Sequence, residues 1–338
     1  MIDLRSDTVT KPDQGMLEAM FRTEVGDDVF KEDPTVKALE HYAAELFGKE
    51  SGLFCPSGTM TNQIAIKVHT QPGDELLCDA NAHIYNYEGG GISFNSGVQA
   101  RLLNGNEGRL SLELIEQNIN ADYDWLTRTR LICLENTVNR AGGSYYTLDQ
   151  IKPISHYCRE NGLAIHLDGA RIFNALRVTR DDTRDIGACF DSISICLSKG
   201  LGAPVGSLLL GSTAFIKQAR KVRKVFGGGM RQAGFLAAAG LYALQHNIHR
   251  LDEDHRRAAK LAAVLSKCTA VESILPVYTN IIIFNIKKDR MSGEAFEQRL
   301  AEGGIKISSF GKQTIRMVTH KDITEDMLNQ TIRVLETI

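Results

Sequence analysis

Seven short apolar runs, separated by segments with helical periodicity, constrain the fold of this chain more than any other feature. Several runs are apolar on both faces, which is typical of strands in a parallel sheet between two layers of helices. The runs are Leu53–Cys55, Glu75–Cys78, Val98–Leu103, Leu131–Leu134, Leu163–Leu167, Ser192–Leu197 and Val205–Leu210. The helical segments are Asp33–Gly48, Thr59–Thr70, Ser111–Ile119, Leu148–Asn161 and Ala214–Val225. The sequence therefore predicts an α/β fold with a mainly parallel sheet covered by helices.

The pattern changes in the C-terminal part of the chain. With 338 residues, the chain is long enough for about two domains. A long helical stretch runs from about Ala233 to Leu265, and shorter apolar runs then alternate with helices. The runs are Val277–Ile286, Lys306–Ser308 and Thr314–Val318, and the helices lie near Ser292–Glu302 and Thr324–Glu336. We therefore expect an N-terminal arm and large domain over residues 1–250, and a small α+β domain over residues 251–338.

Charge and cysteine content narrow the classes of function. The 39 Lys and Arg residues nearly balance the 41 Asp and Glu residues, so no bulk positive field exists to hold nucleic acid or a membrane surface. Seven cysteines form no CxxC pair, which is typical of a reducing compartment. The first residues do not resemble a signal peptide, and the longest apolar stretch, Phe235–Leu244, is too short to cross a membrane. We expect a cytoplasmic protein that binds a small, polar partner.

Residues at strand ends are the first candidates for a site, because ligands of open α/β sheets bind outside the carboxyl ends of the strands. After Leu53–Cys55, the segment Pro56–Thr59 opens a helix. Backbone N–H groups and a hydroxyl can face a phosphate there. The alternative is an ordinary strand-to-helix turn that Ser57 caps.

Two further strand ends carry charge. Asp168 follows Leu163–Leu167, and burying its carboxylate is costly unless a cation lies opposite. Arg171 could be that cation, with Asp168 merely a helix cap. Lys199 follows Ser192–Leu197 beside two glycines, where a partly buried amine can form an imine with a carbonyl. The alternative is an exposed lysine near a sheet edge.

An anion-binding turn, a strand-end Asp and a strand-end Lys, in this chain order, are what pyridoxal 5'-phosphate requires. The turn holds the phosphate, Asp168 keeps the pyridine nitrogen protonated, and Lys199 forms the imine. His83, which follows the run Glu75–Cys78, is then placed to stack on the ring or to act as a base, although a lone His is also a common structural hydrogen-bonding residue. No HExxH motif, P-loop or Cys/His metal pattern occurs, and we predict no metal site.

Seven motifs lie along nearly the whole chain. They are Asp3–Thr10 (DLRSDTVT), Val25–Val29 (VGDDV), Glu32–Pro34 (EDP), Cys55–Asn62 (CPSGTMTN), His166–Arg171 (HLDGAR), Leu197–Gly206 (LSKGLGAPVG) and Gly227–Gly234 (GGGMRQAG). Together they resemble the low-specificity L-threonine aldolases, which are pyridoxal-phosphate enzymes of the beta-eliminating lyase group. The resemblance implies the PLP-dependent transferase fold type I, the fold of aspartate aminotransferase.

The resemblance also implies roles for individual residues. Lys199 would be the Schiff-base lysine, Asp168 the pyridinium partner and His83 the ring-stacking residue, and these three would be catalytic. The other cofactor contacts would be Gly58, Thr59, Arg171, Ser198, Lys224 and Arg231, of which Lys224 and Arg231 often come from a neighbouring subunit. The substrate carboxylate would be held by Ser6, Arg171 and Arg316, since a planar guanidinium suits a bidentate carboxylate.

The activity that the resemblance implies is aldol cleavage of L-threonine or L-allo-threonine to glycine and an aldehyde such as acetaldehyde. Such an enzyme serves threonine catabolism and glycine biosynthesis, and it is expected as a homodimer or homotetramer with shared active sites. The alternatives are another pyridoxal-phosphate enzyme, either a β-eliminating lyase or an aminotransferase, because the reaction type is set by the site rather than the fold. A cofactor-binding regulatory homologue without turnover is the alternative from another class.

Two positions depart from the family pattern. Many relatives have a histidine near the substrate hydroxyl where this chain has Val138, and they often have Tyr-Gly where it has Phe30-Lys31. Both departures concern the side-chain end of the substrate pocket. Threo or erythro preference, the natural β-substituent and the group that takes the hydroxyl proton are therefore open at this point, and His83 or an ordered water is the candidate for that proton.

Overall fold

A computed structural model describes all residues, 1–338. The strands are β1 (Ile2–Asp3), β2 (Ser51–Cys55), β3 (Glu75–Asp79), β4 (Gln99–Leu103), β5 (Thr129–Glu135), β6 (Ala164–Gly169), β7 (Ser192–Cys196), β8 (Ser207–Gly211), β9 (Val271–Ile274), β10 (Ile281–Ile286), β11 (Ile305–Lys306), β12 (Ser308–Ser309) and β13 (Thr314–Val318). The helices are α1 (Gln14–Arg22), α2 (Pro34–Leu46), α3 (Gly58–His69), α4 (His83–Asn86), α5 (Gly91–Ser96), α6 (Leu112–Glu116), α7 (Leu148–Glu160), α8 (Ile172–Thr179), α9 (Thr183–Ala188), α10 (Thr213–Val225), α11 (Gly234–His246), α12 (Leu251–Leu265), α13 (Gly293–Glu302) and α14 (Glu325–Leu335).

The seven predicted apolar runs form one sheet in the order β2-β8-β7-β6-β5-β3-β4. Strands β7, β6, β5, β3 and β4 are parallel, and β8 is antiparallel to both of its neighbours. The predicted α/β class with a mainly parallel sheet is therefore confirmed. Because parallel strands end at the same edge, the segments that follow β2, β3, β5, β6 and β7 meet there.

Both faces of this sheet are covered, which explains the continuous apolar runs. In β3, the consecutive residues Leu76 and Leu77 point to opposite faces, and both are fully buried. Leu77 belongs to the main core, which α2, α7, α8 and α11 cover, whereas Leu76 packs in a second cluster with residues of α3 and α5. A strand with only one buried face would instead alternate between apolar and polar residues.

The C-terminal segment forms its own antiparallel sheet, β12-β13-β10-β9, with α12, α13 and α14 around a separate core. The N-terminus adds to this unit. β1 pairs in parallel with β11, with Ile2 opposite Ile305, and Ile2 and Leu4 are buried in the C-terminal core. The division at residue 250 stays a prediction, and Ile2 and Leu4 pack in the core of the C-terminal unit although they lie at the start of the chain.

The expectation of one long helix from Ala233 to Leu265 is wrong. The helix is interrupted at residues 247–250, between α11 and α12. Asn247 donates a hydrogen bond to the Leu201 carbonyl oxygen at 2.8 Å, and Arg250 donates to the Gly200 carbonyl oxygen. These bonds tie the break to the loop that follows β7. No helix of the protein is both long enough and apolar enough to cross a membrane.

Candidate active site

A cavity of about 240 Å³ opens at the carboxyl edge of the large sheet. It gathers residues from the N-terminal arm, the sheet loops and the C-terminal unit. Its lining residues are Ser6, Thr8, His83, Tyr87, Asn139, Arg171, Lys199, Phe310 and Arg316. Five of these, Ser6, His83, Arg171, Lys199 and Arg316, were predicted from the sequence as site residues. A larger cavity of about 630 Å³ lies at the opposite edge of the sheet and contains none of the predicted site residues.

The loop after β7 fixes the position of Lys199. The Gly202 N–H donates to the Lys199 carbonyl oxygen at 2.8 Å, and the Ala203 N–H donates to the Leu197 carbonyl oxygen at 3.1 Å. Gly202 has φ +83°, in the left-handed region that favours glycine. The tight turn after Lys199 therefore requires a residue such as glycine at this position. Lys199 is half-buried and lines the cavity, in contrast to the alternative of an exposed sheet-edge lysine.

Asp168 is buried at the end of β6. Its carboxylate accepts hydrogen bonds from Asn62 Nδ2 at 2.9 Å and from the Ala170 N–H at 3.2 Å. The alternative in which Arg171 is the cation opposite Asp168 is wrong. Arg171 donates to Asp7 through Nε at 2.7 Å and Nη2 at 2.6 Å, because the N-terminal arm brings Asp7 to it.

The Asp7–Arg171 pair is almost completely buried. Burial acts to raise the pKa of Asp7, but the charge and hydrogen bonds of Arg171 outweigh it and hold that pKa well below its usual range. Asp7 was not predicted as a site residue. It lies inside the DLRSDTVT motif, and only the tertiary structure shows that it neutralises Arg171.

Arg316 is the second buried guanidinium of the cavity. It donates to Asn139 Oδ1 at 2.9 Å and to the Arg5 carbonyl oxygen at 3.0 Å, while its buried Nε has no partner. Burial, with the nearby charge of Arg171, lowers the pKa of Arg316 to about 10. No carboxylate of the protein pairs with Arg316, so the cavity can accept an anionic group at this guanidinium.

His83 begins α4 and is held from two sides. Its backbone N–H donates to Glu135 Oε2 at 2.8 Å, and its ring Nδ1 is 3.0 Å from Glu88 Oε1. Burial acts to lower the pKa of His83, but the hydrogen bond with Glu88 and the charge of Asp168 outweigh it, and the pKa is raised. The imidazole is therefore biased toward its protonated form.

Glu88 is a buried partner of His83 that no sequence motif predicts. It also accepts hydrogen bonds from Asn62 Nδ2 at 2.8 Å and Gln63 Nε2 at 2.7 Å. Ligand atoms of His83, Glu88 and Asp168 lie within 4.8 Å of one another, close enough to share a metal ion. Amide donors already point at both carboxylates, however, and these are the partners that a cation would have to displace.

The predicted phosphate turn lies at the N-terminus of α3. Ser57 caps the helix by accepting a hydrogen bond from the Met60 N–H at 3.2 Å, so the capping alternative is present. A Cβ at Gly58 would approach Cys196 Sγ to 2.6 Å, and the turn therefore needs glycine for its close contact with β7. Thr59 and Ser198 are half-buried on the segments that follow β2 and β7.

The remaining predicted site residues lie outside the cavity of their own chain. Lys224 is exposed in the last turn of α10. Arg231 is exposed, and its Nη1 donates to Asp27 Oδ2 at 2.9 Å. Their predicted contacts with the phosphate stay a prediction that requires a neighbouring subunit.

The two departures from the family pattern also lie away from the cavity lining. Val138 is buried and packs against Gly108, where a Cβ would come within 2.5 Å of Val138 Cγ1. Phe30 is 69% exposed, and Lys31 adopts a left-handed conformation beside it. None of these three residues lines the cavity of the same chain.

The fold, the buried strand-end aspartate, and a cavity lined by Lys199 and by an Arg316 without an acidic partner together define a pyridoxal-phosphate-dependent lyase of fold type I. Residues 3–289 match the family model described as "Beta-eliminating lyase". The chain belongs to this beta-eliminating lyase family.

Curated relatives and solved structures agree with this assignment. The chain is similar to the low specificity L-threonine aldolase of Escherichia coli K12, with 42% identity over 97% of this chain and 96% of the relative. It is also similar to low-specificity L-threonine aldolase 1 of Arabidopsis thaliana, with 41% identity over 98% and 94%. Among solved structures, a threonine aldolase from Leishmania major superposes with a TM-score of 0.85 at 22% identity, over 100% of this chain and 99% of that one. A serine palmitoyltransferase from Sphingomonas wittichii superposes with a TM-score of 0.76 at 17% identity, over 99% and 86%. These two likenesses concern the fold alone.

Proposed function

We propose that this chain cleaves β-hydroxy-α-amino acids, L-threonine and L-allo-threonine among them, to glycine and an aldehyde. The observation that carries the proposal is one cavity that holds a strand-end lysine, an imidazole and an unpaired guanidinium, namely Lys199, His83 and Arg316. The names of the relatives from E. coli and A. thaliana support the same reaction.

The residues present fit pyridoxal 5'-phosphate. Asp168 offers a buried carboxylate for the pyridine nitrogen, Lys199 offers an amine for the aldehyde, and the α3 N-terminus at Gly58 offers backbone N–H groups for the phosphate. Asn62 supports Asp168 with a hydrogen bond of 2.9 Å. When bound, the cofactor supplies an electron sink for the electron pair that the broken bond leaves on Cα.

Arg316 decides which bond of the substrate breaks. Its unpartnered Nε and its lack of any acidic partner leave it free to bind the substrate carboxylate, with Ser6 beside it in the cavity wall. Holding the carboxylate would fix the rotation about Cα, and Arg316 would thereby select which Cα bond is aligned for cleavage when the cofactor is bound. Arg171 contributes less, because Asp7 already neutralises it.

His83 is proposed to handle the proton of the β-hydroxyl. Glu88 binds Nδ1, so Nε2 is the nitrogen left for substrate or for a water molecule. Val138 offers no titratable group, and it does not line the cavity. His83 is therefore the imidazole in the cavity wall from which a proton can be exchanged with the hydroxyl.

We further propose a cytoplasmic homodimer or homotetramer with shared sites. Large apolar side chains stand exposed, among them Phe21 at 88%, Phe94 at 89% and Val225 at 82%. Lys224 and Arg231, predicted as phosphate contacts, are exposed and lie outside the cavity of their own chain, as residues that serve a neighbouring subunit would. The seven free cysteines, six of them buried, support a reducing compartment.

The deciding experiment incubates the purified protein with pyridoxal 5'-phosphate and either L-threonine or L-allo-threonine. Equal amounts of acetaldehyde and glycine support the proposal, and their absence in the Lys199→Ala variant ties the reaction to that amine. Ammonia together with a keto acid would instead identify a β-eliminating lyase, and a keto acid that forms only with an added amino acceptor would identify an aminotransferase. Bound cofactor without any product would identify a regulatory homologue.

A further inference from the structure

Arg140 is a cation beside the active-site cavity that the proposed cleavage does not use; it lines the neighbouring cavity and lies over two aromatic rings of the active-site cavity. Its guanidinium carbon lies 5.2 Å from the ring centroid of Phe310 and 5.7 Å from that of Tyr87, and both rings line the cavity. The Arg316 guanidinium contacts the same Phe310 ring at 4.3 Å. We propose that Arg140 is a specificity residue that binds an anionic β-substituent of the substrate.

No acidic side chain of the protein pairs with Arg140. It is half-buried, and it forms neither an ion pair nor a side-chain hydrogen bond within the chain. Glu107, which borders a neighbouring cavity together with Arg140, is already engaged by Arg109 at 2.5 Å and by the Tyr278 hydroxyl at 2.8 Å. A half-buried guanidinium that lies over aromatic faces and has no hydrogen-bond partner keeps its donors available for an anion.

The two guanidinium groups that line the active-site cavity, Arg171 and Arg316, have other roles. Asp7 neutralises Arg171, and Arg316 takes the α-carboxylate in the proposed function. Arg140 is then the cation near Arg316 that remains for a second anion. Because Arg140 and Arg316 both contact Phe310, the second anion lies close to the first, as in a short dicarboxylic amino acid.

This inference rests on the proposed function and names its substrate class, β-hydroxy-α-amino acids with a carboxylate on Cβ, such as 3-hydroxyaspartate. Their cleavage needs no further reactant. The Cα–Cβ bond breaks, the β-hydroxyl loses its proton as Cβ becomes the aldehyde carbon of glyoxylate, and Cα gains a proton to give glycine.

The test compares L-threonine with L-threo- and L-erythro-3-hydroxyaspartate in the wild type, Arg140→Met and Arg140→Lys. Methionine keeps the apolar contact with the two rings, and lysine keeps the charge. We expect the wild type to prefer a hydroxyaspartate isomer in kcat/KM. Arg140→Met should lose about tenfold or more on that isomer, with threonine changed less than twofold, and Arg140→Lys should retain most of the preference. The exposed Arg180, which lies near Asp252, provides the matched control Arg180→Met.

A binding measurement separates affinity from turnover. L-Aspartate and L-alanine differ by one carboxylate and have no β-hydroxyl to cleave, so the ratio of their Kd values by calorimetry reports the second anion site. The inference predicts tighter binding of aspartate in the wild type and a loss of that difference in Arg140→Met. Equal losses for both amino acids, or no hydroxyaspartate preference in a protein that cleaves threonine, would overturn the role of Arg140. Failure to cleave any of the substrates would instead overturn the proposed function.

Discussion

His166 and Asn62 form a hydrogen bond of 3.1 Å between Nε2 of the imidazole and Oδ1 of the amide. This bond orients the amide, because its nitrogen must then point to the opposite side, where it donates to Asp168 and Glu88. Both carboxylates accept hydrogen bonds and cannot donate them when ionised, so only this amide orientation satisfies all four groups. The carboxylate for the cofactor and the carboxylate behind His83 thus share one donor.

The imidazole of His166 is oriented in turn by Ser192. The Ser192 hydroxyl lies 2.8 Å from His166 Nδ1 and 2.8 Å from Nε2 of His69. Burial lowers the pKa of His166 to about 3, so its ring is neutral and has a single N–H, which the amide oxygen requires at Nε2. Ser192 then donates to Nδ1 of His166. In this series of hydrogen bonds, from Ser192 through His166 and Asn62 to Asp168, each donor is directed toward Asp168.

Replacing His166 should therefore weaken cofactor binding, although His166 does not itself line the cavity. In His166→Phe the amide of Asn62 loses its orienting donor, and we expect the Kd of pyridoxal 5'-phosphate to rise about tenfold, the effect of one lost buried hydrogen bond. His166→Gln keeps a side-chain N–H and should recover part of the affinity. The exposed His156 gives the matched control His156→Phe. Cofactor titration by absorbance checks this, and equal affinity in all variants would contradict it.

The same histidine makes stability depend on pH. In the unfolded chain the pKa of a histidine is about 6.5, whereas burial lowers the pKa of folded His166 to about 3. Between these values the unfolded chain takes up a proton that the folded chain does not, so this contribution to stability is lost as the pH falls below about 6.5. In this range the free energy of unfolding falls by about 1.4 kcal/mol for each pH unit, because one proton is taken up on unfolding.

Other groups titrate in this pH range, and a comparison of the wild type with His166→Gln separates the contribution of His166 from theirs. Burial, with the charge of Asp168, raises the pKa of Glu135 to about 7, and its contribution is lost as the pH rises from about 4.5 through 7. Both wild type and His166→Gln contain Glu135. Urea unfolding at pH 4.5 to 7 should therefore give a shallower acid loss in His166→Gln, and identical slopes would refute the assignment.

Breaking the Asp7–Arg171 pair should be costly to the fold. Asp7→Ala leaves the buried Arg171 guanidinium without its partner, and we expect a loss of about 3–5 kcal/mol in the free energy of unfolding. The Asp3–Arg5 pair is a matched control, because it is much more exposed, and Asp3→Ala should cost about 0–1 kcal/mol. Denaturant melts of the two variants make the comparison, and similar losses would argue against the buried pair as the cause.

The sheet was predictable because burial on both faces leaves a direct mark on the sequence. Each of the seven strands coincides with an apolar run, and Leu76 and Leu77 show the physical cause. The break between α11 and α12 was not predictable in the same way. Neither Gly nor Pro marks residues 247–250, and the side chains there bond to carbonyl oxygens of the loop after Lys199. That loop is distant in sequence, and local patterns carry no record of it.

The positions of the site at strand ends could be predicted from the sequence, whereas the partners of the site residues could not. Asp168 lies at the end of β6 and Lys199 in the loop after β7, and the common edge of parallel strands brings such positions together. Their partners depend on contacts between remote segments. Asp7 and Arg171 are 164 residues apart, and Asn62 and Asp168 are 106 apart. The choice of Asp7 over Asp168 as the partner of Arg171 follows from how the N-terminal arm docks, which no spacing in the sequence encodes.

Complementation between inactive variants can test the shared active site. Lys199→Ala removes the amine, and Arg231→Ala removes a cation that lies outside the cavity of its own chain. If Arg231 serves the neighbouring subunit, each variant alone should be inactive or weak. A co-expressed mixture should regain up to about a quarter of the wild-type activity, because one site of each hybrid dimer is intact. Light scattering gives the oligomer mass, and a mixture no more active than its components would contradict sharing.

The pairing of His83 with Glu88 makes a prediction about the pH profile of cleavage. The hydrogen bond to Glu88 and the charge of Asp168 raise the pKa of His83 against the opposing effect of burial, so removing the carboxylate charge should lower that pKa. A base must be deprotonated to accept the hydroxyl proton, and Glu88→Gln should therefore shift the acidic limb of kcat/KM to lower pH. The matched control is Glu113→Gln, which neutralises an exposed carboxylate on α6 and should leave the profile unshifted.

His83→Phe should lose most of the aldol cleavage, and a variant that cleaves as fast as the wild type would transfer the role of base to a water molecule.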